Sequence, residues 1–173
     1  MANPADELQR VYREHVHAVF AFFAYSVSSQ AAEDLTSATF ERVVGRWRSY
    51  DPRRAGERTW IMAIASHLLV DHFRRRRHRD ALSVEQYPQL LDSLVADGDS
   101  HEGVFAADEL RAWLAPLGER ERWIVALRYA ADLTGAQIAE IVGLSPGNVH
   151  QILSRSLRRL RAEAALERVS GSA

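Results

Sequence analysis

The segment LTGAQIAEIVGLSPGNVHQILSRSLRRLR carries amide, imidazole, hydroxyl and guanidinium groups at helical spacing. Asn148, His150, Gln151, Ser154, Arg155, Arg158 and Arg159 fall on one face of a helix. Its opposite face carries Val149, Ile152, Leu153, Ser156, Leu157 and Leu160. Side chains of the first kind pair with base edges in a major groove, and the neighbouring Arg residues neutralise phosphates. Two short helices joined by a tight turn would present such a face. Ala139 is small where the helices must approach, and Gly143 can take the left-handed conformation that ends the first of them. Ser145 and Pro146 then start the second, as N-cap and first helical residue, and Ser145 joins the expected DNA-facing set. The plainer alternative is a solvated face in a helical bundle. DNA binding is preferred because cap, turn glycine and small residue coincide with a basic face.

A second set of chemically able groups lies in TWIMAIASHLLVDHFRRRRHR, apolar at first and almost purely Arg and His at its end. Cations there also suit the negative end of a helix. The seven His are scattered, and His67 and His72, five apart, do not share a helix face. No catalytic site, metal site or cofactor is expected. The chain contains no cysteine, which excludes disulfides, thiolate metal sites and a nucleophilic thiol. With no long apolar run and no leader pattern, a cytoplasmic protein without membrane insertion is expected.

The elements expected to position these groups are all helical. A helix over residues 6–25 directs Leu8, Val11, Tyr12, His15, Val16, Val19, Phe20 and Phe23 inward. A second over 31–47 buries Leu35, Ala38, Phe40, Val43, Val44 and Trp47, with Glu33, Asp34, Ser37, Glu41 and Arg42 outward. A loop over 49–57 precedes the third helix, from about Thr59. Four more helices are expected over 105–115, 118–129, 134–142 and 146–168. Net charge is −1 overall, yet residues 41–80 hold eleven Arg against five acids, whereas 81–109 hold seven acids and no base. All 22 basic residues are Arg, which suits bidentate phosphate and base contacts but is better explained by a GC-rich genome. The reading is an all-α protein of two small domains, 6–80 and 105–168, joined by an acidic linker over 81–104.

The order AEDLTSATFERV, DPRRAGERTWIMAIASHLLVDHFRRRRHR, acidic linker, helix-turn-helix resembles the extracytoplasmic-function sigma factors of the sigma-70 family over nearly the whole chain. The resemblance implies a region 2-like first domain that binds the clamp coiled coil of core RNA polymerase, with Glu33, Asp34, Ser37, Glu41 and Arg42 as candidate contacts. It implies that residues 53–77 open promoter DNA and recognise the minus-ten element. The candidates are Arg53, Arg54, Arg58, Trp60, His67, Asp71, His72, Arg74, Arg75, Arg76 and Arg77. Stacking and phosphate contact are their expected roles, although Ile61, Ile64 and Leu68 on the same helix favour a core position for Trp60. The region 4-like second domain would read the minus-thirty-five element, and the polymerase flap and an anti-sigma protein are further implied partners. Glu85, Asp92, Asp97, Asp99 and Glu102 of the linker would face basic polymerase channels, or form a plain solvated tether. Away from polymerase the two domains are expected to pack together, and occlusion of both basic faces would silence the isolated protein toward DNA. The competing functions are a dimeric helix-turn-helix regulator, which leaves the basic 53–79 segment unexplained, and an RNA-binding module.

Overall fold

The computed structural model describes residues 4–86 and 109–170, and among these residues every regular element is helical. Helix α1 spans Pro4–Ala24 and α2 spans Ser29–Arg46, followed by a 3-10 turn at Trp47–Ser49. Helix α3 spans Glu57–Gln86. After a helical stretch at residues 109–113 (α4) come α5 (Glu119–Tyr129), α6 (Gly135–Val142) and α7 (Pro146–Ser170). No helix among the described residues is long and apolar enough to cross a membrane.

Helices α1, α2 and α3 form a three-helix unit around Val11, Val19, Phe22, Phe23, Ala32, Val43, Ile61, Met62, Ala65 and Leu69, all essentially inaccessible. The α1 face drifts from the expected stripe. Tyr12 is 49% exposed and packs its ring edge-on against Phe40 with centroids 4.8 Å apart, while Phe22 takes the core. On α2, Val44 is likewise 56% exposed. Thr36 and Thr39 are buried instead, and each hydroxyl donates to a carbonyl one turn back, at 2.6 and 2.7 Å. Such a bond satisfies the hydroxyl without a partner helix, so a polar residue can occupy an inward position.

Helix α3 continues past its expected end, so residues 81–86, expected to open the linker, are helical. The sequence has no Gly or Pro from 57 to 86, and its first breaker is Pro88. Acid density marks a change of charge, not the end of helix-forming residues. The rest of the expected linker, with Asp92, Asp97, Asp99 and Glu102, lies outside the described residues, as do Phe105 and the side chain of Glu85. The helix expected over 105–115 is described only at 109–113, followed by turns at 114–116.

Helices α5, α6 and α7 build the second unit. Ile124, Leu127, Leu133, Ile138 and Val149 belong to the same hydrophobic cluster as the first unit, and Leu114, Leu117, Val125 and Leu160 form a smaller one against which Tyr25 of α1 packs. Burial pushes the Tyr25 phenol above its usual range, with the nearby Tyr129 adding to it. The two units are therefore in direct contact through a shared apolar core.

Candidate nucleic-acid interface

Helices α6 and α7 are joined as the sequence leads one to expect. Thr134 caps α6, its hydroxyl accepting from Gln137 N at 3.3 Å while its own N–H donates to Gln137 Oε1 at 2.8 Å. Gly143 ends α6 with φ +67°, a left-handed conformation in which a side chain would be strained. Ser145 Oγ then accepts from Asn148 N at 3.2 Å, capping α7. Ile138, Ala139, Val149, Ser156 and Leu160 are buried, Leu160 in the cluster with Leu114, Leu117 and Val125. Asn148, His150, Gln151, Arg155, Arg158 and Arg159 are exposed and Ser154 is half-buried, all on one side of α7.

Arg159 departs from that set in its bonding. Its Nη1 donates to Glu121 Oε2 at 3.1 Å and to the Pro116 carbonyl at 3.3 Å, bracing α7 against the start of α5. Three residues at the centre of the face, Asn148, Gln151 and Arg155, follow the spacing of three and four that reaches one groove.

The second basic surface is α3 and the loop before it. Arg53 and Arg54 are exposed on that loop. Arg53 donates from its backbone N–H and from Nε to Asp51 Oδ1 at 3.0 and 3.1 Å, which holds the Asp51 carboxyl below its usual range. Trp60 is half-buried and packs against the core, as Ile61, Ile64 and Leu68 on its helix lead one to expect. It meets Tyr50 and Trp47 with centroids 5.1 and 6.0 Å apart, and Trp47 and Tyr50 stack at 5.2 Å. Trp47 and Tyr50 give Trp60 a second apolar surface beside the core. Further along α3, His67 and the Arg74, Arg75, Arg76 and Arg77 side chains are exposed. Asp71 and His72, with Arg75, His78, Leu35 and Leu68, line a cleft of about 400 Å³ between α2 and α3.

The start of α3 is tied to α1 by charge. Glu57 accepts from Arg10 Nη2 at 2.8 Å and pairs with the buried His15 Nε2 at 2.8 Å, while Arg10 also reaches Glu14 at 2.7 Å. Burial alone would raise the Glu57 carboxyl, but the bonds from Arg10 and His15 outweigh it and hold the group below its usual range. Glu14, His15 and Glu57 come close enough to share a cation, yet Arg10 already bridges the two carboxylates. Sequence reading passed over this brace because its members lie more than forty positions apart.

The second unit meets α3 through polar contacts that no local pattern announces. Gln137 Nε2 donates to Thr59 Oγ1 at 2.9 Å and Trp123 Nε1 donates to Ser66 Oγ at 3.2 Å. Arg58 Nη1 reaches the Ala131 carbonyl at 3.5 Å and Asp132 at 3.9 Å, and Arg77 approaches Glu119 at 3.6 Å. Asp132 sits in the left-handed region, φ +51°, on a turn closed by Leu133 N donating to the Leu127 carbonyl at 3.1 Å. The domains pack together as expected, but occlusion is one-sided: the α7 face stays exposed while Arg58, Thr59 and Ser66 are engaged.

On α2, Glu33, Asp34, Ser37 and Glu41 are exposed and Arg42 is half-buried. Tyr12, Thr36, Ser37, Phe40, Glu41 and Val44 line an open cleft of about 520 Å³ beside them. Of its apolar members, which sequence reading placed in the core, Phe40 is buried while Tyr12 and Val44 are exposed. Their exposure was legible only as a slight phase shift of the α1 and α2 stripes.

Comparison with known proteins matches residues 11–79 to Sigma-70 region 2 and residues 113–162 to Sigma-70 region 4. The ECF RNA polymerase sigma factor BldN of Streptomyces coelicolor is 30% identical over 92% of this chain, which spans 61% of that protein's length. ECF RNA polymerase sigma factor SigC of Mycobacterium tuberculosis is 30% identical over 88% of this chain and 80% of its own. Two solved structures share the fold, each with a TM-score of 0.65. They are CnrH in complex with the cytosolic domain of CnrY, at 16% identity over 92% of this chain and 88% of that one, and the Bartonella quintana sigma factor RpoE in complex with the anti-sigma factor NepR, at 20% identity over 91% and 94%.

Proposed function

The chain belongs to the extracytoplasmic-function sigma factors of the sigma-70 family, and from that premise we propose that it directs core bacterial RNA polymerase to specific promoters. It is a transcription initiation factor and acts in the cytoplasm, where the polymerase is. The first domain binds polymerase and captures the opened strand. The second domain reads the upstream element as duplex. The observation that carries this reading is the occurrence of two distinct basic faces on one chain, the outward face of α7 and the aromatic and Arg-rich face of α3.

Asn148, Gln151 and Arg155 reach base edges, with Ser145, His150, Ser154 and Arg158 beside them and Arg159 positioning the helix. On the α3 surface, Arg53, Arg54 and Arg74 to Arg77 contact phosphates, while the Trp47, Tyr50 and Trp60 stack supports an unpaired base. Base capture offsets lost pairing, so opening at this face needs no fuel. The clamp coiled coil docks on α2 at Glu33, Asp34, Ser37, Glu41 and Arg42, burying Tyr12 and Val44, and the flap meets the second domain. Because Arg58, Thr59 and Ser66 are held by α5, α6 and the turn between them, the domains must part before strand capture is complete. Polymerase supplies the competing surfaces. An anti-sigma protein, the partner in one related structure, would hold the packed state.

A dimeric regulator accounts for α7 alone and leaves the α3 face and the region 2 match without a role. Run-off transcription with core polymerase on a genomic promoter library separates the two. New start sites sharing paired upstream elements are expected with this protein present. Their absence, with a palindromic duplex shifted by the protein alone, would sink the sigma reading.

A further inference from the structure

We propose that the cleft between α3 and α5 is a binding site for a small amphipathic anion, an aromatic body carrying one carboxylate, and that filling it holds the two domains together. The proposal rests on the reading that the domains must part for initiation, and it gives that step a small-molecule restraint.

The cleft has a volume of about 240 Å³. A dry cavity of about 150 Å³ takes one benzene ring, so this one takes a fused bicyclic body of about ten carbon atoms. Its walls suit such a body. Leu69, Val70 and Phe73 line it from α3, and Trp123 lines it from α5. Val70 is 43% exposed, and Phe73 and Trp123 are half-buried. Trp123 Nε1 already donates to Ser66 Oγ at 3.2 Å. That bond fixes the indole and leaves its ring, not its polar atom, to the cleft. Apolar and aromatic walls left open to water in a concave site are what a flat ring system covers.

The rim selects the charge. Arg77, Glu119 and Arg120 complete the lining. Glu119 offsets Arg77 at 3.6 Å, whereas Arg120 is exposed and makes no ion pair among the described residues. Glu119 and Arg120 also stand in the first turn of α5, where unsatisfied backbone N–H groups add positive potential. One net positive charge beside an apolar floor fits one anionic group and disfavours a cation of the same shape.

The position of the cleft gives its occupant leverage. Helix α3 belongs to the first domain and α5 to the second, so the complete site exists only while the domains are packed. A ligand that needs both walls binds the packed state more tightly and shifts the equilibrium toward it. By the same linkage, polymerase that separates the domains expels the ligand.

The test titrates 2-naphthoate into the full-length protein and follows the indole N–H resonance of Trp123, assigned by its absence from Trp123→Phe. A saturable shift is expected, with the neutral 2-naphthamide binding about 5- to 10-fold more weakly, the range of one charge-assisted hydrogen bond at a partly exposed site. Arg120→Gln removes that difference, and Arg120→Lys keeps most of it. Val70→Phe, which fills the cleft from a half-exposed position, abolishes binding of both compounds. In run-off transcription, 2-naphthoate added before core polymerase lowers the transcript of the wild type several-fold and leaves Val70→Phe unaffected relative to its own untreated level. Absence of a saturable shift at Trp123, equal affinity for acid and amide, or binding that survives Val70→Phe would overturn the site. Saturation without any loss of transcript would overturn its restraint on the domains. A wild type that directs no transcript even without 2-naphthoate strikes the sigma reading instead, a result distinct from the binding measured on the free protein.

Discussion

The outward face of α7 and the aromatic and Arg-rich face of α3 are built by opposite means. The caps and the turn of the α7 face, from Thr134 through Gly143 to Ser145, lie within a short contiguous run, and each of their bonds spans three to five residues, while Arg159 ties the helix to α5. The α3 face is assembled from afar. Glu57 is braced by Arg10 and His15 of α1, Trp60 leans on Trp47 and Tyr50, and Thr59 and Ser66 are met by Gln137 and Trp123 of the other domain. A face built locally stays formed and open when the rest of the molecule moves. A face built from distant parts changes when those parts are rearranged, which makes it the one a partner can switch.

The sharpest challenge to this contrast is a core truncation. Phe22 is fully buried in the cluster shared by both domains, so Phe22→Ala is expected to cost about 3–5 kcal/mol and to lower the melting of both domains together. Scanning calorimetry should show one transition; two would mean that the domains fold independently and that the contrast is overdrawn. Next in size is Arg155→Ala, which is expected to reduce promoter-dependent transcription by about 10- to 100-fold, in line with ~1–3 kcal/mol for a base-edge contact, with melting unchanged. A comparable fall in melting would show that Arg155 supports the fold instead.

Smaller effects probe the domain contact and the brace. Removing two cross-domain bonds with Gln137→Ala and Trp123→Phe should cost roughly 0.5–1.5 kcal/mol each and raise single-stranded DNA binding by the free protein, measured by fluorescence anisotropy. Unchanged binding would mean that these contacts do not restrain α3. The smallest expected effect belongs to Glu57. Its carboxyl lies below the usual range in the folded chain, so the native state binds fewer protons than the unfolded one across that interval. The associated stability is present above the ordinary glutamate range and is lost as pH falls through the folded value. Glu57→Gln should therefore flatten the acid limb of stability against pH, and an unaltered limb would assign that dependence to other carboxylates.

Much of the fold could be read directly. The helix-turn-helix was legible to its caps because Thr134, Gly143, Ser145 and Pro146 each have one strongly preferred place at a helix end. The stripes of α1 and α2 were legible in kind but not in phase, since Tyr12, Val44 and Phe22 differ little in character. The end of α3 was misplaced because charge changes at residue 80 while helix propensity does not.

Sequence by itself determined the helical class, the capped turn between α6 and α7 and the charge split along the chain, because caps, turn glycines and period depend on residues a few positions apart. Only the tertiary structure decided that Arg58 turns toward the second domain, that Trp60 joins a stack and that Arg159 braces α5. All three depend on where distant elements come to rest. A one-dimensional pattern of apolar and polar residues fixes which side of a helix is buried, but not which partner buries it.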